Sequence, residues 1–444
     1  MDLIGFLPDF GNIFLSLGAF IVALSVIIAV HEYGHYIVGR WSGIHADVFS
    51  LGFGPVLASR VDRRGTRWQL AAIPLGGYVK FAGDANAASA VDGEAIATLT
   101  PAERRRTMHG APLWARTATV AAGPLFNFLM SIAVFAAFFW VKGIATDVPV
   151  VAEVTPVSEA AAALLPGDTI LALNGQPTPD WEALGKAADT LPDAATAPYT
   201  VLRNGTEMQI TGPHPQPPLA ENVTPFSAAA EAGVLPGDLV LAVNGTPVAS
   251  FNALREIIGA SDGQPQTLTL RRNGAETTIT VTPKRQDLPL KEGGFETRWL
   301  LGLSGGLIFS PETRTPGPVE GLWLGVQQVG NVISTSLSGL GHMIAGKIST
   351  CNMQGAIGIA KTSAAAASDG LPTFIWFIAM LSTAIGMMNL FPIPVLDGGH
   401  LVFFAYEAVF RRPPSEKVMG VLMTMGLAIL ISVMVFGLSR DVLC

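Results

Sequence analysis

The sequence predicts a polytopic α-helical membrane protein with four transmembrane helices and two small α+β repeat domains on one side of the bilayer. Three observations predict this. Four apolar stretches are each long enough to cross the hydrocarbon layer. The segment between the second and third repeats its turn signals at an offset of 69 or 70 residues. Half of the residues are hydrophobic and 14% charged, yet Gly (48) and Pro (31) are plentiful, a mixture that joins spans to turn-rich domains.

The net charge of −7 argues against nucleic acid as a partner. The two cysteines, Cys351 and Cys444, fit neither a zinc knuckle nor a disulfide framework; a bridge between them is possible but is not the expectation. Only Asp2 and Asp9 precede the first apolar run, with no basic n-region and no small-residue cleavage site before His31. This stretch therefore reads as a retained first span and not a removed signal peptide.

The first span, roughly Asn12 to Val38, carries His31-Glu32-Tyr33-Gly34-His35 directly after the apolar run Ile13 to Val30. Two histidines four residues apart share one helix face and can grip a single metal ion, and Glu32 can then activate a water held there. Ionisable groups at the end of an apolar helix are costly unless paired or bound to metal, so the chemistry is expected inside a membrane.

Val48 to Phe81 is punctuated by Gly52, Gly54, Pro55, Gly65, Pro74, Gly76 and Gly77, with Asp62-Arg63-Arg64-Gly65 placed for a hairpin turn. Its apolar flanks, among them Phe49, Phe53, Val56, Leu57, Trp68, Leu70 and Ile73, suggest a sheet dipping into the membrane beside the metal, where a free edge would hold a substrate unwound. A cytoplasmic hairpin without a catalytic part is the alternative.

The second span runs from about Leu113 to Val141, the third from Thr373 to Phe391 and the fourth from Val418 to Leu438. Nine basic residues from Arg40 to Arg106 lie between spans one and two, and Arg411, Arg412 and Lys417 between three and four. By the positive-inside rule both loops are cytoplasmic, and the termini with residues 142–371 lie on the far side.

Within that far side Thr155-Pro156 recurs as Thr224-Pro225, Pro166-Gly167-Asp168 as Pro236-Gly237-Asp238, Asn174-Gly175 as Asn244-Gly245, and Arg203-Asn204-Gly205 as Arg272-Asn273-Gly274. Short β-rich runs between these turns indicate tandem domains over 142–215 and 216–286. The repeat resembles the circularly permuted bacterial PDZ domain. Such domains bind extended peptide by strand addition, and steric exclusion of bulky substrates is the equal alternative. Residues 287–371 read as a membrane-associated linker whose Gly321 to Ala367 portion is amphipathic and surface-lying.

Two histidines do not complete a catalytic zinc site, which takes three protein ligands. Asn389 to His400 (NLFPIPVLDGGH) offers the third in Asp397: Pro392 and Pro394 prevent a regular helix before it, and Gly398-Gly399 let the backbone turn closely. The competing account makes Asp397 a helix N-cap, and His400 is a rival ligand. His45, His109, His214 and His342 have no spacing partner.

These pieces together resemble the bacterial site-two proteases of the RseP type over nearly the whole chain. The match includes HEYGH, Phe53-Gly54-Pro55, Ile73 to Lys80, Ala122-Gly123-Pro124-Leu125-Phe126-Asn127-Phe128 and NLFPIPVLDGGH. The resemblance implies that His31, His35 and Asp397 bind zinc, that Glu32 is the catalytic base, and that Asn389 hydrogen-bonds the substrate backbone. It makes 53–81 a membrane-reentrant β element and gives Asn127 a packing or span-positioning role. Ser158 and Glu159 fit PDZ folding without showing a ligand. Substrates would be single-span membrane proteins already trimmed on the periplasmic side, such as anti-sigma factors, and remnant signal peptides. The protein would sit in the bacterial inner membrane with its PDZ domains periplasmic. A membrane-tethered PDZ adaptor and a metal transporter are the readings from other classes.

Overall fold

The computed structural model describes residues 10–85, 98–157, 159–289 and 295–443; the N-terminal stretch before Phe10, Ser158 and Cys444 lie outside them. The described residues form two compact units, one built from residues up to Phe138 with Pro318–Ser338 and the chain from Met353, the other from Phe139–Gly317 and Gly339–Asn352.

In the first unit, α1 (Phe10–Trp41) leads into β1 (Ala46–Val61) and β2 (Arg67–Phe81), and α2 (Leu113–Lys142) follows. Later come α3 (Pro318–Ile344, whose last turn belongs to the second unit), α4 (Ala356–Ser368), α5 (Leu371–Asn389), α6 (Asp397–Phe410) and α7 (Glu416–Leu443). Among the described residues four helical segments are long and apolar enough to cross a membrane: Phe14–Trp41, Leu113–Lys142, Leu371–Asn389 and Lys417–Leu443. The third begins at Leu371 because Pro372 is tolerated in a first helical turn, and it stops before the Pro392/Pro394 segment.

The β1–β2 element is more folded than one hairpin. Val48 to Leu51 pair with Lys80 to Gly77 on one side and with Arg67 to Leu70 on the other, so this short run is an interior strand. Gly52 and Gly54, both at positive φ, turn β1 out of it, and Phe53 to Val61 then pair back along Ile73 to Arg67. The tip, Asp62 to Thr66, closes through Asp62 N to Thr66 O.

α4 packs along α1 and carries buried Ser363 and Ala366. Its N-terminus has no cap of its own; Asp441 from α7 accepts from the amides of Gly355 (2.8 Å), Ile357 (3.0 Å) and Gly358 (3.1 Å). Cys351 is disulfide-bonded, contrary to the expectation that the cysteines stay unbridged. Spacing in sequence gives no sign of it, because a bridge is set by the distance and direction between two Cβ atoms and not by their separation along the chain.

In the second unit the repeat is visible as two four-stranded sheets of one topology. Strands 176–177, 169–173, 196–203 and 206–213 lie in that order in the first, and 246–247, 239–243, 266–272 and 275–281 in the second. All four Asn-Gly pairs have positive φ at both residues, the geometry of two-residue hairpin turns. Asp168 and Asp238 of the Pro-Gly-Asp turns each take a two-pronged pair from the arginine of their own repeat, Arg203 (2.7 and 2.6 Å) and Arg272 (2.7 and 2.6 Å). The helices Trp181–Asp189 and Phe251–Gly259 start on the N-caps Asp180 and Ser250 and close one face of each sheet.

Strands continue past residue 286, into the stretch assigned from sequence to a membrane-associated linker. Lys284–Pro289 pairs with Phe295–Leu300. Leu301 then enters the core of the second repeat and Leu303 pairs with Val223, after which Ile308 and Phe309 enter the core of the first and Phe309 pairs with Val154.

Candidate active site

The long apolar run forms α1, and its 3.6-residue period sets His31 and His35 on one face with ring centroids 4.8 Å apart. That face meets α2, where Thr119, Gly123, Asn127 and Ser131 recur every fourth residue and are all buried. Both glycines at this contact are needed for close approach: a Cβ on Gly34 would lie 2.5 Å from the Ala122 carbonyl oxygen, and one on Gly123 would lie 2.3 Å from His35 Nε2.

Asp397 arrives from the far end of the chain. The segment between α5 and α6 folds on itself so tightly that a Cβ at Gly398 would lie 2.3 Å from the carbonyl oxygens of Leu390 and Phe391, and one at Gly399 2.3 Å from that of Ile393. Leu396 is the N-cap of α6, and Asp397 is its first residue. The carboxylate is thereby free of the capping role and turns to the histidines: Oδ2 lies 3.1 Å from His31 Nε2 and Oδ1 3.5 Å from His35 Nε2. The Arg116–Glu407 pair (2.6 and 3.1 Å), largely buried, ties α2 to α6 and so fixes the helix that carries Asp397.

One ligand atom from each of His31, His35 and Asp397 lies within 4.8 Å of the others, a group able to hold a metal ion. The donor chemistry fits a divalent cation. His35 Nδ1 donates to the Thr119 carbonyl at 2.9 Å, which leaves Nε2 as a lone pair. His31 Nε2 stands 3.2 Å from it, and Asp397 Oδ2 is buried without a hydrogen-bond partner. Such convergence of acceptors repels itself unless a cation lies among them. On the other side of His31, Nδ1 lies 3.3 Å from the Asn127 side-chain nitrogen, while Asn127 Oδ1 is buried and unbonded. Turning that amide over sets Oδ1 to accept from Nδ1 and leaves His31 Nε2 for the ion.

Glu32 lies beside the edge of β2: a Cβ on Gly77 would come 3.2 Å from its Cγ. Asn389 is the last residue of α5, half-buried, and among the described residues makes no hydrogen bond to the cluster. His400 stacks edge-on with Phe403 and is outside the metal-holding group. His109 Nε2 is 3.1 Å from buried Asp84, and His45 Nε2 is 3.6 Å from Asp47. Sequence reading missed Thr119 and left Asn127 to span packing; the four-residue stripe of small and polar residues through an apolar helix was the available signal.

The chain is similar to known proteins over nearly its whole length. A protein of Agrobacterium fabrum bearing the name of a zinc metalloprotease is 35% identical over 431 residues, covering 95% of this chain and 94% of its own. The regulator of sigma E protease of Haemophilus influenzae is 34% identical over 462 residues, with 96% and 98% covered. The protein of that name from Salmonella typhimurium is 32% identical over 461 residues, with 97% and 99% covered. The sequence pattern of peptidase family M50 extends over residues 19–433, and this chain belongs to that family.

Proposed function

We propose that this zinc metalloprotease hydrolyses peptide bonds of single-span membrane proteins within or just beneath the bilayer surface. His31, His35 and Asp397 are its zinc ligands, Glu32 its general base, and Asn389 a hydrogen-bond partner of the substrate backbone. The observation that carries the reading is the convergence of three donor groups, from two distant segments, beside a glutamate on an apolar spanning helix.

Zinc in such a site polarises the scissile carbonyl and lowers the pKa of a water towards ~7. The chain's own groups do the rest. Thr119 and Asn127 fix which nitrogen each imidazole offers, and the Gly-Gly turn fixes the carboxylate. Glu32, beside the edge of β2, takes the proton of the attacking water and returns it to the leaving amine. The edge of β2 receives the substrate as an extended strand, since a helical peptide bond is shielded from attack.

The two repeats are PDZ-like domains on the periplasmic side of an inner-membrane protein, where they admit substrates already trimmed of bulky outer portions. The division we propose is 1–141, 142–215, 216–286, 287–371 and 372–444, with Leu301 to Phe309 of the fourth stretch returning to complete the cores of the two repeats. The Haemophilus and Salmonella relatives are named as proteases that regulate sigma E; with the resemblance of the motifs this supports an anti-sigma factor as one substrate, and remnant signal peptides are another. Glu32→Gln should keep zinc and fold while cleavage of a helical membrane peptide falls by about 10²- to 10⁴-fold. Wild-type turnover in that variant refutes the assignment.

A further inference from the structure

We propose that the tip of the β1–β2 hairpin is a binding site for the phosphate of an anionic lipid headgroup, held by Arg60 and Arg63. A cavity of about 340 Å³ opens there, lined by Arg60, Val61, Asp62, Arg63 and Trp68. Asp62, the acid in it, is fully engaged in the turn. Its Oδ1 accepts from the amides of Arg64 (2.8 Å) and Thr66 (3.0 Å), and its Oδ2 from Trp68 Nε1 and Tyr36 OH (both 3.3 Å). Among the described residues no carboxylate lies within 4.0 Å of the guanidinium of Arg60 or Arg63; the arginines that form ion pairs are others. The cavity therefore offers two unneutralised forks to an anion, the geometry guanidinium uses for phosphate.

Its depth relative to the bilayer follows from α1. Tyr36, which reaches Asp62, also accepts from Arg40 Nη1 at 2.5 Å and packs against the Trp68 ring at 5.0 Å. Tyr36 and Arg40 lie in the last turns of a spanning helix that ends at Trp41, so the tip is pinned where the span leaves the hydrocarbon. The strand leading into the tip is apolar and exposed: Val56 is 50% exposed, Leu57 67% and Val61 57%. A soluble anion or a nucleic acid explains the arginines and leaves this surface in water. An anionic lipid explains both, with its phosphate on the guanidiniums, its chains along Val56, Leu57 and Val61, and Trp68 at the interface between them.

The test uses the full chain in nanodiscs of phosphatidylcholine with a minor share of phosphatidylglycerol, with retained lipids read by native mass spectrometry. Retention of phosphatidylglycerol should fall about fivefold for each of Arg60→Gln and Arg63→Gln and about 25-fold for both, while Arg60→Lys with Arg63→Lys keeps most of it and Arg271→Gln, on the second repeat, changes nothing. Should the double glutamine variant misfold, the wild type decides: raised salt should strip phosphatidylglycerol and spare phosphatidylcholine. Wild-type retention in a folded double variant, salt-insensitive retention, or displacement by inorganic phosphate overturns the assignment.

Discussion

Replacing Gly123 by alanine would put one methyl group into the proposed metal centre. The new carbon would lie 2.3 Å from His35 Nε2, 2.5 Å from His35 Cε1 and 2.9 Å from His31 Cε1, where ordinary contact begins near 3.4 Å. The imidazoles or α2 must therefore retreat by about 1 Å, and forced overpacking of this kind costs about 1–3 kcal/mol. Helix propensity acts in the opposite direction, since alanine is favoured over glycine in a helix interior by about 1 kcal/mol. The loss should thus fall on the site and spare the helix. At about 1.4 kcal/mol per tenfold, zinc should be held about 5- to 150-fold more weakly. The assay is competition for zinc against a chelator of known affinity, on purified protein in detergent, with cleavage of a membrane peptide followed in parallel. Gly185→Ala is the control, because Gly185 lies on the helix Trp181–Asp189 with nothing within 4 Å of the added carbon. Gly123→Ala with unchanged zinc affinity refutes the close packing of α2 on the ligand rings.

Acid sensitivity of the second unit follows from its two buried aspartates. Burial pushes the carboxyls of Asp168 and Asp238 up, but hydrogen bonds from Arg203 and Arg272 and from the Leu165 and Leu235 amides outweigh it and hold both below the usual carboxylate range. A depressed folded value contributes stability at every pH above the unfolded value, about 3.9, and loses it as pH falls through the folded one. Denaturant midpoints followed by tryptophan emission should be flat near neutrality and drop below about pH 4, and Asp168→Asn should lower the neutral midpoint and flatten the acid slope. An unchanged acid slope in that variant contradicts the role of the pair. Asp441→Ala should remove the side-chain acceptor that serves the three amides opening α4, at a cost of about 1–2 kcal/mol. Hydrogen exchange over 355–368 should then quicken about 5- to 30-fold; exchange as slow as in the wild type would show that α4 is held by packing alone.

The spanning helices were legible because a lipid-crossing run needs some twenty apolar residues and nothing else in a sequence looks like that. The hairpin turns of the repeats were legible because Asn-Gly is cheap only where both residues take positive φ. Among the proposed ligands, His31 and His35 could be read from helical spacing. Asp397 could be picked out only as an acid stranded in apolar sequence, and it is the fold that brings it against them. What stayed hidden depends on contacts between distant segments. Arg116 and Glu407 are 291 residues apart, and neither carries a local sign of its partner. The doubled pairing of Val48 to Leu51 was hidden too, because a bent strand has the same alternation as two straight ones. Leu303 to Arg314 read as linker since its strands are two or three residues long and pair with segments far back along the chain.

That late stretch makes the second repeat, topologically, a long insertion inside the first. Ile308 and Phe309 are emitted by the ribosome about a hundred residues after the rest of the core they complete, so the first repeat must wait, apolar side open, until its neighbour has been made. Cutting the chain between the repeats would leave the N-terminal side with its four-stranded sheet but without Ile308 and Phe309 in its core and without the partner strand of Val151–Val154. A surgical removal of one repeat therefore has to be planned around 301–314, and the smallest piece of the second unit worth expressing by itself is both repeats together with that returning segment.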